Sequence, residues 1–430
     1  MVCEPTTDLD DQGAAGDRLS ASADGGLGMN SLASGADQPA ALSADEIERI
    51  VQSRHDMPYR VLGPQPARGG QWTTVRAFMP HARRVVLRLL GERSAEYDMH
   101  RAHPEGLHQT QIPRPADSID YEYLVEEEGR APYRCSDPYR FRGIRFSGED
   151  QRLFVRGEHL RLYEKLGARP ARRGGVRGVE FAVWAPNAQR VSVVGAFDAW
   201  DGRRHPMQQV AACGVWELFV PGVGPGDLYK YEIKTPDGSL FLKSDPFAIH
   251  AEPPPNCASI VHDLSRHVWG DEAWMGEGRA GAVRERGINA SAWMEPTIEP
   301  DLSSAASADE LLASIAAAGC TYVELPAWGD GRASASLFAF APPFATPQHL
   351  MAWVDRCHRH GLGVLLRDTG RKIPPALADL CWFDGTQLYE RAGDARSAPA
   401  FDVAKGEVRS ILLSNAAFWL DRYHVDAIRT

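Results

Sequence analysis

No run of about 18 consecutive apolar residues occurs in this chain, and no basic segment followed by an apolar one opens it. Neither a membrane span nor a secretory leader is expected. Cysteine is scarce: seven in 430 residues, at positions 3, 135, 213, 257, 320, 357 and 381. No two stand at C-x-x-C spacing and the number is odd, so neither a zinc ribbon nor a disulfide framework is indicated. No metal and no cofactor are expected, and reduced thiols in the cytoplasm are the simple reading. Excess basic charge is lacking too. Forty-seven Lys and Arg stand against 57 Asp and Glu, a net charge of −10. A nucleic-acid partner needs a basic footprint and is excluded on this ground; a neutral ligand suits the balance better. No G-x-S-x-G elbow is present, so a Ser-His-Asp triad cannot be assigned.

Apolar residues make up 43% and charged residues 24%, the balance of a globular chain with room for about two to four domains. Residues 1–42, rich in Ala, Gly, Ser and Asp and poor in aromatics, read as a disordered tail. Ser43 with Glu46 forms a capping-box pattern that opens a short helix. From there to about 165 the texture is β: "WTTVRAFMP", "RRVVLRLL" and "YEYLVEEEG" alternate with Gly, Pro and polar turns. "VRAFMPHARRVVLRLL" (75–90) then returns as "EFAVWAPNAQRVSVVG" (180–195), which predicts two related sandwiches in tandem. The basic stretch "RPARRGG" (169–175) reads as a solvated linker between them. After about 285, helix patterns alternate with the strands "SAWME", "TYVELP", "LGVLL" and "VDAI". That rhythm predicts βα units on a parallel sheet. Four such strands are about half of a (β/α)₈ barrel, which typically takes about 250 residues.

The stretches "VEFAVWAPNAQRVSVVGAFDAWDGRRHPM", "GVWELFVPG", "GDLYKYEI" and "KSDPFA" resemble the glycogen-binding-type β-module of bacterial 1,4-α-glucan branching enzymes. "SRHDMPYRVLGP", "DPYRF" and "RLYEKLGARP" resemble the extra N-terminal module of that family, and "FDGTQLYE" and "NAAFWLDRYHVDAIR" its barrel. The resemblance implies an α-amylase-type fold: a β-sandwich module over 43–165, a glycogen-binding-type sandwich over 175–275 and a partial (β/α)₈ barrel over 286–430. It also implies α-glucan (glycogen or maltooligosaccharide) as the ligand.

The family chemistry is transfer of a glucan chain to a 6-hydroxyl by a retaining mechanism, which needs two carboxylates about 5–5.5 Å apart. The nucleophile is expected in an Arg-x-Asp pattern at the fourth strand. Arg429 and Thr430 are its first two positions, and the Asp would be the next. Where the family has Asp-x-x-x-x-His, this chain has "RDTGRK": Arg367 takes the Asp position and Lys372 the His position, while a shift of one residue recovers Asp368 without the His. The loop after "VELP" is short and lacks the family's Tyr; Trp328 stands there instead. In glycogen-binding modules, a Trp in "F-x-x-W" and a Lys in "Y-K-[FY]" contact sugar; they match Trp200 and Lys230, and a third contact, a Trp, falls near Leu240. Trp184 and Trp216 read as core. Three functions stay open: a non-catalytic α-glucan-binding or accessory relative, part of an active branching enzyme, and a decaying gene product. The exposed sheet edges of a partial barrel imply a homo-oligomer or another barrel-containing chain as partner.

Overall fold

In the computed structural model, the described residues are 42–67, 69–91, 94–143, 145–253, 255–278, 291–293, 305–326, 336–340, 346–367, 372–391 and 399–429. The expected tail therefore falls outside them, as do Trp328, Asp368 and Thr430. Two compact units divide the chain: one up to Arg140 without Ser53–Pro58, and one from Phe141 onward with Ser53–Pro58.

The first unit opens with helix α1 (Ala44–Val51), whose Ser43 and Glu46 form the expected reciprocal cap. Eight strands follow: β1 (Gly63–Pro66), β2 (Thr73–Phe78), β3 (Ala82–Leu89), β4 (Glu96–Asp98), β5 (His100–His103), β6 (Leu107–Ile112), β7 (Tyr121–Glu127) and β8 (Tyr133–Cys135). They form sheets of order β1-β2-β6-β5 and β4-β3-β7-β8. Strand side chains alternate between faces, so Tyr121, Tyr123 and Val125 of β7 enter one core with Val85, Leu87 and Leu89 of β3.

In the second unit, α2 (Gly148–Arg156) precedes a second pair of sheets. Their strands are β9 (Gly167–Arg173), β10 (Val176–Trp184), β11 (Arg190–Gly195), β12 (Gln208–Gln209), β13 (Val215–Pro221), β14 (Leu228–Lys234), β15 (Leu240–Lys243) and β16 (Ser259–Ile260). One sheet runs β12-β13-β10-β9 and the other β11-β14-β15, with β16 on β14. The pairings β2–β6 and β3–β7 recur as β10–β13 and β11–β14, so the repeat seen in the sequence is a repeat of topology. It extends into the core. In the first unit Asp137 accepts from the hydroxyls of Tyr121 (2.6 Å) and Tyr123 (2.9 Å) and from the Tyr139 amide (2.9 Å). In the second, Asp245 accepts from Tyr229 (2.6 Å), Tyr231 (3.4 Å) and the Phe247 amide (2.8 Å). Burial raises both carboxyls, Asp245 to about 6.

Two boundaries differ from those expected. "RPARRGG" is not a linker: it supplies most of β9 and, in Gly174-Gly175, the turn that pairs β9 with β10. Both glycines have positive φ, +52° and +82°, as a two-residue hairpin turn of type I′ requires. The second sandwich thus begins near Gly167, not 175. Residues 141–165, assigned by sequence to the first module, group with the second unit, because α2 and the turn after it pack on the last helix of the chain.

The remaining strands are β17 (Ser291–Trp293), β18 (Tyr322–Pro326), β19 (Gly363–Arg367) and β20 (Ala427–Arg429). They lie side by side in chain order, all parallel. Helices α3 (Ala305–Ala317), α4 (Pro347–Arg359) and α5 (Gly406–Arg422) fall between them, giving the expected βα rhythm. Thr346 caps α4, with Pro347 at its first position. Helix α3 begins at Ala305, two residues before the Ser307 expected to cap it. Helix α5 takes the turn after α2: Ser410 and Ser414 hydroxyls accept from the His159 and Tyr163 amides at 3.1 Å each, and the Tyr163 hydroxyl donates to Asp421 at 2.6 Å.

Candidate functional site

The turn that follows β11 is organised by one buried carboxylate. Asp198 Oδ1 accepts from the amides of Gly195 (2.9 Å) and Trp200 (3.0 Å), and its Oδ2 lies 2.9 Å from His205 Nδ1. Burial pulls the His205 imidazole down to about 4, so at neutral pH the ring is uncharged and its N–H serves the carboxylate. Ala199 and Trp200 take φ of +59° and +60°, a left-handed conformation that costs an L-residue about 1–2 kcal/mol. Such strain persists where the surroundings over-determine the backbone. Arg190 adds to the restraint, its Nη1 donating to the Gly202 carbonyl at 2.7 Å. The product is a restrained backbone at Trp200, whose side chain is 39% exposed.

Lys230 lies opposite Val194, beside the β11 residue from which this turn springs. On β14 the residues Tyr229, Tyr231 and Ile233 face the core, which turns Lys230, Glu232 and Lys234 outward. The Lys230 ammonium donates to the Asn256 carbonyl at 2.7 Å and keeps donors to spare. Leu240 and Leu242 pair with Lys234 and Glu232 on the same outer face, and both are exposed. Trp184 and Trp216 are core residues as expected, their indole N–H groups donating to the Cys213 and Ala185 carbonyls at 2.8 and 2.9 Å.

A second cluster sits at the carboxyl ends of the parallel strands. Arg367 and Arg429 are direct neighbours across β19 and β20. Both address Glu324 of β18: Arg429 Nη1 donates to Oε2 at 3.2 Å, and Arg367 Nε stands 3.7 Å from Oε1. The carboxylate is enclosed while both guanidiniums reach solvent. Sequence singled out the two arginines and missed the acid that joins them. Its signal was slight: one charged residue inside an otherwise apolar strand, "YVELP". Lys372 is not gathered into this cluster; it is exposed and bridges to Ala400 through the backbone.

Among the described residues no group of His, Cys, Asp or Glu is arranged to hold a metal ion, and no helix is long and apolar enough to cross a membrane.

Residues 43–139 match the N-terminal domain of the alpha-1,4-glucan branching enzyme GlgB, and residues 165–248 match carbohydrate-binding module 48, the isoamylase N-terminal domain. The 1,4-alpha-glucan branching enzyme GlgB of Rhodospirillum rubrum is 39% identical over 410 residues, covering 90% of this chain and 55% of the relative. Those of Gloeobacter violaceus and Rubrobacter xylanophilus are 40% and 41% identical, covering 89% and 90% of this chain and 54% and 55% of theirs. The chain spans about half the length of the curated relatives it matches. Over the residues matched, the chain is similar to glycogen branching enzymes, with a match to their N-terminal domain followed by a match to a carbohydrate-binding module.

Proposed function

We propose that this chain binds α-glucan through the outer face of its second sandwich and does not itself transfer glucan chains. The observation that carries the binding half is the Asp198-centred turn, which restrains, at a cost in backbone strain, the backbone that presents the exposed Trp200. A neutral pyranose offers no charge to grip, so affinity rests on a flat apolar face plus a few placed polar groups. Trp200 supplies the first and Lys230 the second. Glycogen or a maltooligosaccharide is the ligand of choice, in keeping with the module matched over 165–248.

The non-catalytic half rests on the cluster at the strand ends. A retaining transfer passes through an oxocarbenium-like state, stabilised by carboxylates. Arg367, standing where the family pattern has Asp, adds a cation there beside Arg429, the residue this chain shares with the family's Arg-x-Asp pattern. That arrangement opposes a developing positive charge. The chain would then serve as a glucan-holding partner of a catalytic enzyme, either as a homo-oligomer or beside another barrel-containing chain.

Affinity electrophoresis in gels containing glycogen tests the first half: the wild type is retarded, and Trp200→Ala loses most of the retardation. Equal retardation of the two removes Trp200 from the site. An iodine-staining branching assay tests the second, with no change in the absorbance of amylose expected. Clear activity would favour the other reading, that the chain is part of an active branching enzyme, to which the identity of about 40% over nine-tenths of the chain lends weight.

A further inference from the structure

A second exposed indole stands on a loop with no slack. Between Leu377 and Arg391 the exposed residues are Ala378, Trp382 and Arg391; the rest are enclosed or half-enclosed. Trp382 keeps 54% of its surface in solvent, more than Trp200 does. Its φ is +50°, again the left-handed region that a bulky side chain takes at a cost.

The loop is pinned on both sides of the indole. Before it, the Lys243 ammonium donates to the carbonyls of Asp379 (3.2 Å) and Cys381 (2.9 Å), and the Ser244 hydroxyl donates to the Asp379 carboxylate at 2.8 Å. At the indole, the Trp382 amide donates to Glu390 Oε1 at 2.8 Å. After it, Asp384 Oδ2 accepts from the amide and the side chain of Asn187, both at 3.0 Å, while Oδ1 holds the Thr386 hydroxyl at 2.7 Å. Phe383 is fully buried against Tyr389. Gly385 fits with φ +85° because a Cβ there would stand 2.4 Å from Thr235 Cγ2.

The charged groups around the loop are taken up by its own backbone and by the sandwich beside it. Lys243 faces backbone carbonyls, and one Glu390 oxygen caps the Trp382 amide. The other oxygen, enclosed, has no hydrogen-bond partner and is an unfilled acceptor at the base of the same turn. A solvent-facing ring on a restrained, strained backbone, with no other exposed large apolar side chain on its loop, is too small for a protein interface. It is the right size for one sugar ring.

We propose that Trp382 is a second stacking platform for α-glucan, distinct from Trp200. This rests on the glucan reading given above. Titration of the full chain with maltoheptaose, with glycogen gels in parallel, tests both. Trp382→Ala should weaken binding by about fivefold or more, Trp200→Ala should leave residual binding, and the double variant should lose that residue. Trp382→Phe should keep most of the affinity. Trp382→Gly relieves the backbone, so its Tm should rise while its affinity falls, a pairing that misfolding cannot give. Wild-type affinity in Trp382→Ala, or a double variant no weaker than Trp200→Ala, overturns the platform and leaves the first site standing. A wild type that binds neither probe overturns both.

Discussion

Asp198 and Asp245 show what one carboxylate does when it is buried with a purpose. Asp198 ties down the turn that presents Trp200. Asp198→Ala should cost about 2–4 kcal/mol, because it strands the His205 N–H and two turn amides. It should also weaken glycogen retardation without touching a sugar contact; a variant that keeps wild-type retardation would show that the turn needs no such anchor. Asp245 has a raised carboxyl, about 6 against 3.8 for the free residue. The unfolded chain therefore releases this proton first as pH rises. Stability from this group is full below about pH 4 and falls by about 3 kcal/mol by about pH 6. Asp245→Asn lacks that slope, so its deficit against wild type should shrink by a similar amount between about pH 4 and pH 7; urea midpoints at the two pH values check it. Of these residues, sequence singled out only Trp200 with Lys230. A supporting carboxylate such as Asp198, Glu324 or Asp384 looks like any polar loop or strand residue until the fold shows what it faces.

Elements were more legible, and the misreadings have physical causes. The capping signals at Ser43 and at Thr346-Pro347, and the two-residue alternation of β7, act locally and survived into the structure. The strand β9 did not announce itself, because "GARPARR" carries arginines where an apolar alternation is sought. Burial of Arg169 lowers its guanidinium to about 10, and Arg173 pairs with Glu180 at 2.7 Å. The Gly-Gly turn was the available signal. Helix α2 likewise reads as part of the first module, since nothing in its own sequence points 250 residues downstream to α5. The close crossing there depends on Gly406, where a Cβ would come within 1.8 Å of the Val155 carbonyl oxygen. Gly→Ala in a helix ordinarily gains up to about 1 kcal/mol. Here the clash outweighs that gain, and Gly406→Ala should lower stability by about 1–3 kcal/mol, read as a fall in Tm. An unchanged or higher Tm would mean that the two helices separate at no cost.

The second sandwich and the parallel sheet fall in one compact unit, and their junction is largely polar. Lys243 and Ser244 of the sandwich grip Asp379, Asn187 grips Asp384, and Trp184 meets Tyr389 edge-on at 5.6 Å. Asp384 is fully buried and accepts four hydrogen bonds, two of them from Asn187. Its removal strands donors on both sides, a loss of about 2–4 kcal/mol. Four parallel strands alone have little core to set against their chain entropy, so this junction should supply much of their cooperativity. Heating the wild-type chain should melt the sandwich and the α/β segment together. In Asp379→Ala with Asp384→Ala, the α/β segment should melt first: hydrogen exchange should quicken in β18, β19 and α4 while β10, β13 and β14 stay protected. Uniform quickening across both, or none in either, would place the cooperativity elsewhere. The glucan sites separate along the same line. Trp200 lies within the sandwich and should bind after the junction opens, whereas Trp382 stands on the clamped loop and should lose its affinity with the clamp.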